Sequence, residues 1–489
     1  MVRLREYQEN GVAAVRGAFE AGAQAPAFVL PTGGGKTTMF GSMSKDEVDA
    51  GGRVVILAHR RELITQAADR LELFGLHPAR VMPGGAGGDG LSFVASVQTL
   101  QNRLGEIQEP DLLVVDECHH APAGSWANIR AAWPNARYVG FTATPIRSDG
   151  RGLRESFDAL VLGPSTRWLT DQGFLVPVDI RMPDLPDLTG VKMRMGDFDP
   201  LALANALERS KVVGNAVATW RRHFPTGGRG VVFCCSVAHA RHVAALFNAG
   251  GIAARVLTGS DKQVDRDATL AALATGAIEV VCTVEVISEG FDLPDLDAIV
   301  WLRATQSLGF WLQGCGRALR PAPGKTQALI LDHVGNTWRH LYPDEPHEWS
   351  LDGRKAKPRS ETHTEEGHAL SLVRCGRCFT MHPTAPVCPR CGHVHPVDER
   401  IPAARAGVLR AVSAAEVKAK AAAAKAAAAK ARKAEEAACK TLQDFVDLGA
   451  RRRYPNPLGW AHVRFKLREK RQRQTVQTPW RVGADGWPL

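Results

Sequence analysis

The feature that most limits the fold of this chain is a twice-repeated alternation of short apolar runs with longer helix-like stretches. Ala27–Leu30, Val54–Ala58, Phe93–Ser96, Leu112–Val115 and Tyr138–Thr142 form one series. Gly230–Cys235, Ala254–Leu257, Val280–Thr283, Ile299–Leu302 and Ala328–Leu331 form a second. Runs this short and this largely apolar suit strands covered on both faces, as in a parallel sheet under helices. The alternation therefore predicts two α/β layers, 1–165 and 206–340. A segment rich in Pro, Asp and Met between them reads as a connector, 166–205, and polar residues 341–369 read as a linker. No apolar run reaches the ~20 residues of a membrane span, and MVRLREYQEN lacks the apolar region of a signal peptide. The expected location is the cytoplasm, with no membrane partner.

The first run leads into LPTGGGKTTM, residues 30–39. Glycines leave backbone N–H groups free to cradle an anion, with a following helix adding its positive end. Thr32, Gly33, Gly34, Gly35, Lys36, Thr37 and Thr38 are thus candidate phosphate ligands; Lys36 would reach the terminal phosphates and the Thr37 hydroxyl would hold Mg²⁺. A strict phosphate-loop pattern wants glycine six places before the lysine, where this chain has Leu30. A glycine-rich turn between strand and helix is the alternative for the loop alone.

LLVVDECHH, residues 112–120, delivers two adjacent carboxylates at the end of a predicted strand. Asp116 could orient Mg²⁺ and Glu117 could take a proton from an attacking water. With a phosphate loop earlier in the same sheet, the pair reads as a nucleotide-hydrolysing site.

At this point the chain resembles the superfamily 2 helicases. LREYQ is similar to the family's adenine-reading motif, with Arg5, Tyr7 and Gln8 in matching places. PTGGGKTT resembles motif I, AHRREL (58–63) motif Ia, SVQTL (96–100) the next strand-end motif, DECH (116–119) motif II and TATP (142–145) motif III. In the second half VFCCSVAHA (232–240), TVEVISEGFDLP (283–294) and QGCGRALR (313–320) resemble motifs IV, V and VI. The resemblance implies two tandem RecA-like domains with ATP between them. Arg317 and Arg320 would reach across to the γ-phosphate, Gln313 would help place the water or the γ-phosphate, and Gly290 and Asp292 would line the cleft. It also implies a nucleic-acid track, for which Arg60, Arg61, Gln98, Thr99, His239 and Thr283 are candidates, and a coupling element at Thr142 and Thr144.

RCGRCFTMHPTAPVCPRCGH, residues 374–393, spaces Cys375, Cys378, Cys388 and Cys391 as two Cys-x₂-Cys turns. Two such turns facing each other make a closed tetrahedral Zn²⁺ site, structural because four thiolates leave no open position. A zinc-binding module is placed at 370–397, with His382, His393 and His395 ranked below the cysteines as ligands. The other core cysteines, Cys118, Cys234, Cys235, Cys282 and Cys315, read as buried free thiols.

The +10 net charge lies wholly in the C-terminal part: residues 401–489 hold 19 Lys and Arg against 7 Asp and Glu, a net of +12. That is a footprint for a polyanion. Its 411–440 stretch is Ala/Lys-rich and reads as a semi-rigid helix, with a disordered basic tail as the alternative. Residues 441–489 regain aromatics and read as a small basic helical element. Within the superfamily the chain resembles the RadD-like bacterial helicases, in a host or phage version. That implies a DNA-repair role with single-strand-binding protein as partner. Single-stranded or branched DNA is the expected substrate, and a monomer is favoured. An ATP-gated binding or annealing factor, or an RNA helicase, is the alternative.

Overall fold

Strands that are apolar at nearly every position must be covered on both sides, and both predicted layers are largely built that way. The computed structural model describes residues 2–59, 61–82, 90–120, 123–147, 150–183, 186, 188, 190–194, 197–209, 212–284, 296–353, 372–395, 435–436, 438–439, 441–452 and 458–466. The first sheet holds β1 (Pro26–Val29), β2 (Val54–Ala58), β3 (Ala79–Val81), β4 (Ser92–Ser96), β5 (Leu112–Asp116), β6 (Arg137–Thr142) and β7 (Ala159–Leu162). All pairings are parallel, in the order β3-β4-β2-β5-β6-β1-β7. Alternate side chains of one strand enter different apolar layers. Val54 and Ile56 join one, Val55 and Leu57 the other, as a period of two requires.

The second sheet begins earlier than expected. The stretch assigned as connector contributes β8 (Val178–Arg181), followed by a small hairpin of β9 (Met193–Arg194) and β10 (Asp197–Phe198). Strands β11 (Gly230–Phe233), β12 (Ala254–Leu257), β13 (Val280–Thr283), β14 (Ala298–Trp301) and β15 (Ala328–Asp332) then complete a parallel sheet in the order β12-β13-β11-β14-β15-β8. β8 pairs with β15 from Val178 opposite Ala328 to Arg181 opposite Leu331. Residues 166–205 are therefore part sheet, not only connector.

The linker assignment is also revised where it is described. Leu351 is buried in the first domain's core beside Leu153 and Phe157. Arg154 N donates to its carbonyl over 3.0 Å. Residues 354–371 lie outside the described residues.

The four-cysteine module is an antiparallel hairpin, β16 (Leu372–Arg374) and β17 (Met381–Pro383), followed by a second turn. It is seated on the edge strand β8. The Arg181 guanidinium donates to Cys378 O over 2.9 Å and to Thr380 Oγ1. Tyr342 Oη donates to Met381 O over 2.6 Å.

Residues 398–489 form a separate compact unit. Its helix Leu442–Arg451 starts on a Thr441–Asp444 capping box and, with residues 458–466, encloses Cys439, Phe445, Leu448 and Ala461. Of the Ala/Lys-rich stretch only 435–436 and 438–439 are described. No helix among the described residues is long and apolar enough to cross a membrane.

Candidate functional site

The loop after β1 turns back on itself and opens a helix at Lys36 (Lys36–Asp49). Leu30, where a glycine would be usual, is accommodated because Gly34 has no side chain. A Cβ at Gly34 would lie 2.7 Å from Leu30 Cγ. The Leu30 carbonyl in turn accepts from Lys36 Nζ over 3.3 Å, aiming the ammonium along the loop.

β5 carries the two carboxylates to the same place. Glu117 Oε1 is 3.7 Å from Lys36 Nζ, with both side chains about nine-tenths buried. Glu117 sits at φ 47°, in the left-handed region that costs a residue with a Cβ. Its N–H donates to Asp116 Oδ1 over 3.0 Å. Burial pushes the Asp116 carboxyl up to about 7, with the Glu117 charge adding to the rise and Lys36 and Arg317 opposing it.

The helix Leu308–Gly316 brings the second domain against this loop. Its last residue, Gly316, faces Thr32 so closely that a Cβ would lie 2.7 Å from the threonine Cβ. Only glycine lets the domains meet here. Lys36, Thr37, Asp116, Glu117, Arg317 and Arg320 consequently line one cleft of about 540 Å³. Arg70, not singled out in the sequence, also lines it and donates to Thr38 Oγ1 over 3.0 Å.

Gln313 lies elsewhere, in a buried hydrogen-bond chain. Thr142 Oγ1 donates to Thr144 O and accepts from Thr144 N, both at 3.0 Å. With its proton used, Thr142 Oγ1 accepts from His119 Nδ1 at 2.9 Å, so His119 Nε2 accepts from Gln313 Nε2 at 3.1 Å. Gln313 Nε2 is also 3.5 Å from Thr144 Oγ1. His119 closes this chain and was not among the candidates, although it stands in the quoted DECH.

Tyr7 and Gln8 support the phosphate loop directly, and Arg5 supports it through Gln8 and Tyr7. Tyr7 Oη and Gln8 Nε2 both donate to Gly34 O, over 2.8 and 3.2 Å, while Gln8 Oε1 accepts from Arg5 N. Tyr7 packs with Phe174 and Trp168, and the Arg5 guanidinium lies 4.7 Å from the Phe174 ring centre. These two aromatics come from the presumed connector, where nothing local marked them.

The track candidates fare unevenly. Gln98 is exposed and Thr99 half-buried, at the start of a helix capped by Ser96. His239 and Thr283 are both buried. His239 Nδ1 accepts from Cys235 N over 3.2 Å, and burial lowers its pKa to about 4. Arg60, the Arg61 side chain, Gly290 and Asp292 lie outside the described residues.

The Sγ atoms of Cys375, Cys378, Cys388 and Cys391 all lie within 4.8 Å of one another. The other core cysteines are buried free thiols.

Comparison with known proteins agrees with this geometry. Residues 1–147 match the family described as type III restriction enzyme, res subunit, and residues 215–322 match the helicase conserved C-terminal domain. A 51.5 kDa protein of a Lactococcus phage is 29% identical over 373 residues, covering 76% of this chain and 78% of its own. A Saccharomyces cerevisiae protein named as an ATP-dependent helicase, Irc3, is 28% identical over 68% of this chain; the chain spans 51% of that relative's length. A solved fragment from Vibrio vulnificus, titled as an HsdR subunit of a type I restriction enzyme, shares the fold. Its TM-score is 0.58 at 22% identity, over 70% of this chain and 66% of the fragment.

Proposed function

We propose that this chain, a superfamily 2 helicase-type enzyme that hydrolyses ATP, uses hydrolysis to move along or remodel DNA. The observation that carries the proposal is the chain Thr144–Thr142–His119–Gln313, which ties the hydrolytic loop to the second domain through adjacent buried hydrogen bonds. Lys36 and the loop amides would hold the phosphates, and Glu117 would take the proton of the attacking water. Arg317 and Arg320 would offset the charge developing on the γ-phosphate. Thr37 and Asp116 offer the oxygen donors a Mg²⁺ ion needs, and the ion would supply charge neutralisation at the phosphates. Domain closure and reopening would then pass through Gln313 to the nucleic-acid track.

The +12 C-terminal segment suits a nucleic-acid polyanion, and the restriction-enzyme description of the first domain's family favours DNA over RNA. Four convergent thiols are the donor set of structural Zn²⁺, and the cysteine module after the core supports the RadD-like reading. That reading carries a repair role and single-strand-binding protein as partner, and we further propose action in the cytoplasm as a monomer. The test is ATP-dependent displacement of a labelled strand from DNA with a single-stranded overhang. Product that needs both ATP and Glu117 supports the proposal. Faster annealing with no displacement would favour the binding-factor alternative, and displacement from RNA alone would favour an RNA helicase.

A further inference from the structure

The cysteine module and the second domain enclose a groove of about 470 Å³, separate from the ATP cleft. Helix Val212–His223, strand β8 and both cysteine turns contribute Arg222, Arg181, Arg377 and Arg390 to its wall, together with Phe379. Four guanidiniums thus converge where Asp179 is the nearby carboxylate. Asp179 accepts from Arg181 over 3.0 Å and from Arg390 over 2.7 Å. Arg181 is buried and fixed, whereas Arg222 and Arg377 are exposed and make no ion pair among the described residues. The groove keeps a surplus of positive charge in planar, fork-shaped donors suited to phosphate oxygens.

Phe379 makes the groove more than an anion patch. The two cysteine turns are built alike: Phe379 N donates to Cys375 O over 2.9 Å, and Gly392 N donates to Cys388 O over 3.0 Å. The residue after the second cysteine is left-handed in both, φ 67° at Gly392 and φ 60° at Phe379. Glycine takes that conformation without strain, and a bulky side chain does not. The second turn uses glycine; the first keeps a phenylalanine at a cost, on the wall of a basic groove. An aromatic face among guanidiniums can hold both a base and its flanking phosphates.

Building on the reading of the chain as a nucleic-acid motor, we infer that this groove is a second contact for a single strand of nucleic acid. Phe379 stacks on a base, while Arg222, Arg377 and Arg390 hold the adjacent phosphates.

The test uses the full chain, with labelled oligodeoxythymidylate, oligouridylate and a blunt DNA duplex as probes. Phe379→Gly should melt no lower than wild type, because it relieves the left-handed strain, and should keep the ATPase rate measured without nucleic acid. Its single-strand affinity should fall about fivefold or more, the loss of one stacked base, with little change on the blunt duplex. Phe379→Trp should restore the affinity. Arg222→Gln with Arg377→Gln should flatten the dependence of log affinity on log salt by ~0.7 per phosphate released. Variants that bind both single strands as tightly and as salt-sensitively as wild type overturn the inference. So does an equal loss on the blunt duplex for Phe379→Gly, or a wild type that binds no single strand. A wild type that binds the strand while its ATPase ignores it removes the motor reading alone, and the groove is still judged by the variants' affinities.

Discussion

His119 and Gln313 join the two domains: His119 Nε2 accepts from Gln313 Nε2 at 3.1 Å, with both side chains buried. One belongs to the loop that ends β5, the other to the helix that carries Arg317 past its end. Gln313→Ala should leave nucleotide binding intact and lower nucleic-acid-stimulated hydrolysis more than basal hydrolysis. The cost of stranding a buried hydrogen-bond partner, about 1–3 kcal/mol, sets a loss of roughly 5- to 150-fold. His119→Ala should behave alike, and the double variant should be little worse than either, because both cut the same link. Additive losses in steady-state kinetics would show that the two residues act separately.

Lys36 and Glu117 should fail in different ways. Lys36→Ala removes the phosphate-facing charge and should weaken ATP binding as well as hydrolysis. Glu117→Gln keeps the shape and removes the base, so ATP should still bind while turnover is lost. Arg317→Ala and Arg320→Ala should bind ATP and lose up to ~10³-fold in turnover. Fluorescent-nucleotide titration beside phosphate release separates these cases, and near-normal turnover in Glu117→Gln would refute the assignment.

Asp116 gives the nucleotide-free protein a pH signature. Its carboxyl is raised to about 7 from an ordinary 3.8, chiefly by burial, so the folded state holds a proton that the unfolded chain releases. That contribution is complete below the unfolded value and is lost as pH rises through about 7. Asp116→Asn should therefore raise the melting temperature of magnesium-free protein at pH ~8, with the gain shrinking toward pH ~4. A gain that does not change with pH would place the proton elsewhere.

The cysteine module should carry about one Zn²⁺ per chain by elemental analysis of protein prepared without chelators. Cys375→Ser should abolish that zinc and loosen the module on β8, seen as faster amide exchange around Arg181 and Thr380, before it lowers the ATPase. Freshly prepared protein free of zinc would rule out the site.

The interior of both sheets was legible in the sequence, and three of their four edge strands were not. Every predicted apolar run became a strand; all but one lie inside a sheet, where burial on both faces leaves little polar interruption, and Ala254–Leu257 became the edge strand β12. β3, β7 and β8 lie at edges or carry partly exposed residues, so their signal is diluted, and β8 was absorbed into a connector. Lys36, Asp116 and Glu117 could be found because phosphate chemistry demands those residues in local patterns. A strand-end position does not say which way a side chain faces, so the burial of His239 and Thr283 could not be read in advance. Trp168 and Phe174 had no local mark, since their role exists only once the chain returns to Tyr7.

The most direct measurement is the ATPase rate of the full chain without nucleic acid, then with single-stranded DNA, forked DNA, duplex DNA and RNA. The account predicts a slow basal rate, strong stimulation by single-stranded or forked DNA, weaker stimulation by blunt duplex, and no stimulation in Glu117→Gln. A rate unchanged by every DNA, or raised by RNA alone, would contradict it.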